Sequence, residues 1–301
     1  MKVLNFGSLN LDKVYTVEHF VRAGETLSSS RLEEFCGGKG LNQSIAFARA
    51  GATVFHAGCI GEDGEKLRRM LADNHVDTTF VRMMKQTPCG HAIIQVTGEG
   101  ENCILLFGGA NLCVDRAFAD SVLAKFGEGD FLMLQNEISN LDHIIRVAHS
   151  KKMTVALNPS PFNSVITALD LSMIDWLILN ETEGMGITGE SDPDRITAEL
   201  LNRYPAMRIV LTLGSKGAMY ADRNNRERHG IFKAPVVDTT AAGDTFTGFF
   251  FASILNGNSP AASLRIASAA SAIAVSRKGA APSIPSAQEV ADSDYLKPAQ
   301  K

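Results

Sequence analysis

Short apolar runs recur along the chain at Val3 to Phe6, Thr53 to Cys59, Phe131 to Gln135, Thr154 to Leu157, Trp176 to Leu179 and Ile209 to Leu213, with helix-length segments between them. A strand covered on both faces reads as a continuous apolar run, and parallel neighbours need a long crossover connection. The rhythm is therefore that of βαβ units, and the fold class expected is α/β, a mainly parallel central sheet with helices on both faces. Two stretches break it. Lys13 to Phe35 and Gly90 to Phe107 run as strands with no helix between, the second with a turn at Gly98-Glu99-Gly100-Glu101-Asn102. Strands inserted this way form a small separate sheet, and beside a binding site such a sheet serves as a lid. The division expected is a main body of residues 1–12, 36–88 and 110–301 and a β-sheet lid of residues 13–35 and 89–109. Asp292 to Lys301 reads as a loose tail.

Composition narrows the partners. With 301 residues, 45% of them hydrophobic, the chain has material for a sizeable core. Its net charge of -4 and scattered Lys and Arg supply no basic stripe, so no nucleic-acid partner is expected. No apolar run reaches membrane-spanning length and the first residues do not read as a signal peptide, so no membrane partner is expected and the cytoplasm is the expected location. The five cysteines (Cys36, Cys59, Cys89, Cys103, Cys113) form no CxxC pair, which argues against a disulfide framework or a zinc site.

The candidate chemistry lies at segment boundaries. Asp238-Thr239-Thr240-Ala241-Ala242-Gly243-Asp244 puts small residues where the chain enters a long apolar helix. Unpaired amides and the positive end of the dipole make a helix start an anion site, and small residues let a phosphate approach closely. Asp244, in the first turn, is placed to take a proton from a hydroxyl in line with that phosphate, although Asp also serves there as an ordinary cap. Thr212-Leu213-Gly214-Ser215-Lys216-Gly217 suits a backbone lying against a nucleotide, or a plain hairpin turn. Asn180-Glu181-Thr182-Glu183 suits phosphate and a magnesium-bound water, or a capping box.

A second group suits vicinal hydroxyls. Asn10 and Asp12, just past the first apolar run, offer an amide that donates and accepts and a carboxylate that accepts twice. Gly37-Gly38-Lys39-Gly40-Leu41-Asn42-Gln43 precedes an apolar helical run, its glycines allowing close backbone approach while Lys39 and Asn42 donate. Glu137 follows the run Phe131 to Gln135 and is either exposed or bound to something polar. Neither GxGxxG nor GxxxxGK[ST] occurs, which disfavours a nicotinamide dehydrogenase.

Together these residues resemble the PfkB, or ribokinase, family of carbohydrate and nucleoside kinases almost from end to end. Gly37 to Ser44, with Gly51 and Gly61 downstream, is similar to the family's first signature, and Asp238 to Asp244 to its second. The resemblance implies a ribokinase-like fold and transfer of the ATP γ-phosphate to a primary hydroxyl of a furanose, ribose giving ribose 5-phosphate. It implies that Asn10, Asp12, Gly38, Lys39, Asn42 and Glu137 hold the sugar, that Asp244 is the base, and that Ala241, Ala242 and Gly243 form the anion hole. Asn180, Glu183, Thr212, Gly214, Gly217 and Ser268 would line the nucleotide, with Glu183 reaching magnesium through water. Potassium, a monovalent-cation activator, would be held by Asp238, Thr240, Ala274, Arg277, Gly279 and Ser283, several through backbone carbonyls. A homodimer through the lids is also implied. Another sugar or a nucleoside as acceptor, and a sensor that binds without catalysis, are the alternatives; Phe107 and Ile94 are candidates for the apolar wall that would choose among acceptors. After Gly248 the chain carries Phe249-Phe250-Phe251 where the family keeps a small residue, a departure that bears on helix packing.

Overall fold

The computed structural model describes residues 1–297. Its strands are β1 (Val3–Phe6), β2 (Asn10–Thr16), β3 (Arg31–Gly37), β4 (Val54–Gly61), β5 (Asp77–Met84), β6 (Gly90–Val96), β7 (Asn102–Phe107), β8 (Phe131–Gln135), β9 (Thr154–Asn158), β10 (Trp176–Asn180), β11 (Arg208–Thr212), β12 (Ala218–Ala221) and β13 (Arg226–His229). The helices are α1 (Lys39–Arg49), α2 (Glu65–Asp73), α3 (Arg116–Leu123), α4 (Leu141–Ser150), α5 (Ser164–Thr167), α6 (Glu181–Thr188), α7 (Pro193–Arg203), α8 (Ala242–Leu255), α9 (Pro260–Val275) and α10 (Ala287–Asp292).

Nine strands make the main sheet in the order β13-β12-β11-β10-β9-β8-β1-β4-β5. Every pairing from β5 to β11 is parallel, and the outer pairings β11–β12 and β12–β13 are antiparallel, so that β12 runs against the rest. Because successive side chains of a strand point to opposite faces, each strand feeds two cores. Val3, Val54, Phe131 and Met133 join the core under α1, α2, α8 and α9. Leu4, Phe6, Leu132 and Leu134 join the core under α3, α4 and α7. The run Phe249 to Phe251 is wholly absorbed: Phe251 packs 5.1 Å from Phe131 and 5.4 Å from Trp176 between ring centroids. Close approach of α1 and α8 is secured instead by Gly248, where a Cβ would stand 2.7 Å from the amide of Phe47.

A four-stranded sheet, β3-β2-β6-β7, stands apart. Here β2 pairs antiparallel with β3 and parallel with β6, and β6–β7 is a hairpin. Two expectations need correcting. The stretch from Lys13 to Phe35 is not strand throughout: residues 17–30 are irregular, folded around Glu25, which accepts the Arg22 amide and pairs with His19. The first stretch of the small sheet also begins earlier and ends later than expected, at Asn10 and Gly37, which pair with each other while Asn10 pairs with Gly90 as well. Residues 10–12 and 36–37, assigned to the main body from sequence, are thus strand residues of the small sheet. The expected loose tail is packed as far as it is described, with Tyr295 stacked on Phe232 at 5.0 Å and Leu296 against the core; residues 298–301 lie outside the described residues.

Candidate active site

Two helix starts converge at the carboxyl ends of the central strands. The first is that of α1. Its N-cap Gly38 takes φ 95°, a conformation that favours glycine, and a Cβ there would stand 3.0 Å from the Asn10 amide. A Cβ on Gly40 would stand 2.5 Å from the carbonyl carbon of Gly7, so only glycine lets α1 cross the turn between β1 and β2 this closely. The second start is that of α8, preceded by Ala241 at φ 61°, a strained value for a residue with a Cβ. The Ala242 carbonyl accepts from Ser271 of α9 at 2.9 Å, which ties down this first turn.

The two motifs, far apart in the chain, meet at Asp244. Its Oδ2 accepts from Asn42 Nδ2 and its Oδ1 from Gln43 Nε2, both at 3.0 Å. The Oδ1 of Asn42 is buried with no protein partner, a free acceptor beside the carboxylate. Of the two readings of Glu137, exposed or bound to something polar, the structure shows the second. Its carboxylate accepts from the Ser8 hydroxyl in a short contact and from the Lys39 amide at 3.2 Å. Burial pushes its pKa up, with Asp244 adding to the effect and Lys39 and Ser8 opposing it. Burial acts on the Lys39 ammonium in the discharging direction, but Asp244, Glu137 and Glu183 outweigh it and hold the charge. The Asp12 carboxyl is pushed up to about 7, chiefly by burial and further by Glu137 and Asp244.

Asn10 is held from behind. Its Oδ1 accepts from Asn111 Nδ2 at 2.7 Å, while Asn111 Oδ1 takes the Leu9 amide at 2.9 Å, leaving the Asn10 amide hydrogens to donate elsewhere. Asn111, Ser8 and Gln43 are the residues that motif reading did not assign. Gln43 lay within a quoted motif, whereas nothing local marks Asn111, which reaches Asn10 from the turn after β7.

A cavity of about 250 Å³ opens from Asp244 between α8 and the ends of β9, β10 and β11, lined among others by Lys39, Asn180, Glu183, Thr212, Ala241 and Gly243. A Cβ on Gly243 would meet nothing within 4 Å. Asn180 and Glu183 form a complete capping box at the start of α6, the ordinary reading of that motif, and both still line the cavity. Gly214, Gly217 and Ser268 do not line it. Gly217 has a reason of its own, since at φ 98° a Cβ would press into Gly230 beside β13, and Ser268 is buried within α9.

Of the residues expected to hold a monovalent cation, Thr240 and Gly279 are brought together by the Asp238 carboxylate. Asp238 accepts from the amides of Thr240 and Gly279, both at 2.9 Å, and its own amide reaches the Val275 carbonyl at 3.2 Å, next to Ala274. The Arg277 side chain turns away to Glu289, and the Ser283 hydroxyl donates to the Ala280 carbonyl.

On the far side of Glu137 lies a larger hollow of about 680 Å³, lined by Asn10, Leu106, Phe107, Asn136 and Glu137 and continuing to Leu169. Phe107 therefore does stand at a wall, but Leu106 rather than Ile94 accompanies it.

The profile described as pfkB family carbohydrate kinase matches residues 1–287. The chain is 35% identical over 291 residues to the ribokinase of Haemophilus influenzae, covering 94% of this chain and 95% of that one. It is 34% identical to the ribokinase of Schizosaccharomyces pombe, covering 99% of each. Among solved structures, the fold superposes on a Cryptococcus neoformans ribokinase in complex with ADP with a TM-score of 0.84 and 33% identity, covering 97% of this chain and 99% of the other. An Arabidopsis thaliana ribokinase complexed with ribose and ATP gives a TM-score of 0.83 and 29% identity over 96% and 97%.

Proposed function

The chain belongs to the pfkB family of carbohydrate kinases, and on that premise we propose that it transfers the γ-phosphate of ATP to the primary hydroxyl of D-ribose, giving D-ribose 5-phosphate. One observation carries the reading: Asp244 sits in the first turn of α8, clamped by two carboxamides from α1, at the mouth of the cavity lined by Gly243 and Lys39.

Asp12, Glu137 and Asp244 supply three carboxylate acceptors for a molecule rich in hydroxyls, while Asn10, Asn42 and Lys39 donate, and the unpartnered Asn42 Oδ1 takes one further hydroxyl proton. Acceptors of this density suit a neutral polyol. Asp244 removes the proton of the attacking hydroxyl, and that oxygen displaces ADP from the γ-phosphorus. The helix start at Ala241, Ala242 and Gly243 stabilises the charge on the moving group through amides aimed at it, and Lys39 adds the one ammonium of the cavity lining. Asn180, Glu183 and Thr212 border the triphosphate, and Gly214, Gly217 and Ser268 would lie further along the nucleotide.

The cavity sets Lys39 against Glu183 and Asp244, too little positive charge for a nucleoside triphosphate, which fits magnesium arriving with ATP and held through water by Glu183. When bound, magnesium neutralises the phosphate oxygens. The Asp238 carboxylate, with the backbone and hydroxyl oxygens that these segments carry, is the donor chemistry potassium takes, and Asp238, Thr240, Ala274, Arg277, Gly279 and Ser283 would be its holders. The small sheet closes over the sugar as a lid. Leu32, Leu105 and Phe107 are exposed on one face of it and Ile104 and Leu106 on the other, apolar surface that suits a second copy and so a homodimer. Five unpaired cysteines, with Cys103 exposed, fit the reducing cytoplasm.

The test is ADP release, coupled to a spectrophotometric readout, across D-ribose, 2-deoxyribose, fructose and nucleosides. D-ribose is expected to give the highest kcat/KM. A nucleoside or hexose preferred over ribose, or ADP release independent of any acceptor, overturns the proposal.

A further inference from the structure

On the face of the main sheet that α1 covers, three neighbouring strands each bury a polar side chain where its companions are apolar. His56 of β4, Asn5 of β1 and Gln135 of β8 are all fully buried. Each follows by two residues a core residue of that face, Val54, Val3 and Met133, and Asn5 stands opposite His56 in register. Carboxamides and imidazole are costly at such positions unless hydrogen-bonded.

The bonds they make form one chain that ends on Asp244. Gln43 Nε2 donates to Asp244 Oδ1 at 3.0 Å, and Gln43 Oε1 accepts from Gln135 Nε2 at 2.7 Å. Gln135 Nε2 also donates to Asn5 Oδ1 at 2.9 Å. Asn5 Nδ2 in turn donates to the Gly40 carbonyl and to Ser44 Oγ, both at 2.8 Å, and Ser44 Oγ meets His56 Nδ1 at 2.8 Å.

The orientation of every member follows from the carboxylate. A carboxylate only accepts, so Gln43 must present its NH₂ to Asp244 and its carbonyl to Gln135. That fixes Gln135 as a double donor, which makes Asn5 Oδ1 an acceptor and frees Asn5 Nδ2 for α1. Ser44 Oγ receives a hydrogen from Asn5, and its one other partner is His56 Nδ1, so its own proton goes there. The imidazole is then the tautomer with hydrogen on Nε2, facing the Gly7 carbonyl without forming a well-directed hydrogen bond to it. Burial keeps His56 neutral, so the far end of the chain stays an acceptor. The Gln135 carbonyl oxygen is left buried and unpartnered, a cost the arrangement bears because turning that amide over would set oxygen against the carbonyls of Gln43 and Asn5.

We propose that Gln43 is a positioning residue that fixes the rotation of the Asp244 carboxylate, and that Gln135, Asn5, Ser44 and His56 act through Gln43 by holding its amide in that one orientation. With Oδ1 pinned by Gln43 and Oδ2 by Asn42, the remaining lone pairs of Asp244 have a set direction for the acceptor hydroxyl. None of the chain beyond Gln43 lines either cavity, so its effect falls on turnover and not on substrate affinity. The inference rests on Asp244 being the base.

Steady-state kinetics and melting temperature of Gln43→Met, Gln135→Met, their double variant and Ser44→Ala test it. Gln43→Met should lower kcat about tenfold with the KM of sugar and ATP within about twofold, Gln135→Met should lower it less, and the double variant should fall no further than Gln43→Met, as for residues acting as a unit. Losses that multiply in the double variant, a change confined to KM, or an unchanged kcat in Gln43→Met overturn the proposal. Should Gln43→Met not fold, Ser44→Ala keeps the test: a kcat reduced at unchanged melting temperature supports the chain, and an unchanged kcat refutes it. An inactive Asp244→Asn beside a normal Gln43→Met removes this inference alone, whereas an active Asp244→Asn removes the assignment of the base.

Discussion

The two ends of the site are built from different materials. The proposed acceptor end is crowded with charged side chains: Asp12, Glu137 and Lys39 are each shifted by burial and by charged neighbours, Asp244 among them. The proposed phosphate end offers backbone amides, small residues and a helix dipole, with Gly243 open to the cavity and Ala241 held at positive φ. Hydroxyls demand directional partners of fixed protonation, whereas a phosphate in flight is met by a broad positive potential that main chain supplies without bulk. Side-chain exchanges should therefore be selective and severe at the first end, and steric at the second.

The largest effect that would break this contrast is expected at the boundary itself. Asp244→Asn should lower kcat by roughly 10²-fold or more while the melting temperature stays close to that of the unaltered protein. Next, Asp12→Asn should raise the KM for sugar by about tenfold or more and leave that for ATP unchanged. The same variant carries a stability signature. A carboxyl raised to about 7 in the folded state, against 3.8 unfolded, binds more protons folded than unfolded between those values, so the unliganded protein loses stability from this group as pH rises from about 4 to 7. Asp12→Asn should thus melt higher than the unaltered protein above pH 7, the gap closing as pH falls to 4; a gap widest at low pH would contradict the burial of Asp12. For the same reason, the KM for sugar of the unaltered protein should fall as pH rises through about 7.

At the other end, Gly243→Val should leave melting and sugar binding unchanged, because its side chain enters open space, yet depress kcat/KM for ATP by roughly tenfold. A variant that instead lost stability would make Gly243 a folding residue. The smallest effect is ionic: replacing sodium by potassium should raise the rate several-fold in the unaltered protein and not in Asp238→Ala, measured at constant ionic strength.

Much of this was legible beforehand because it is local. Apolar runs marked β1, β4, β8, β9, β10 and β11, and the two glycine-bearing motifs marked the starts of α1 and α8. The lid strands were visible too, but not their ends, since whether Asn10 closes β1 or opens β2 depends on its pairing with Gly37 and Gly90. Asn180 and Glu183 show the limit of motif reading, as one arrangement caps a helix and faces a cavity together. The row of His56, Asn5 and Gln135 left only a faint mark, single polar letters inside apolar runs. Its members lie so far apart in the chain that only the order β4-β1-β8 brings them side by side.

That Asn10 and Asp12 ride on β2 has a mechanical outcome. The chain passes from β1 into β2 across residues 7–9, so any swing of the four-stranded sheet carries these two side chains along with it. If Asn10 and Asp12 hold the acceptor as proposed, grip on it and posture of the flap would be one equilibrium: whatever braced the outer strands would tighten or loosen the hold on substrate without touching it.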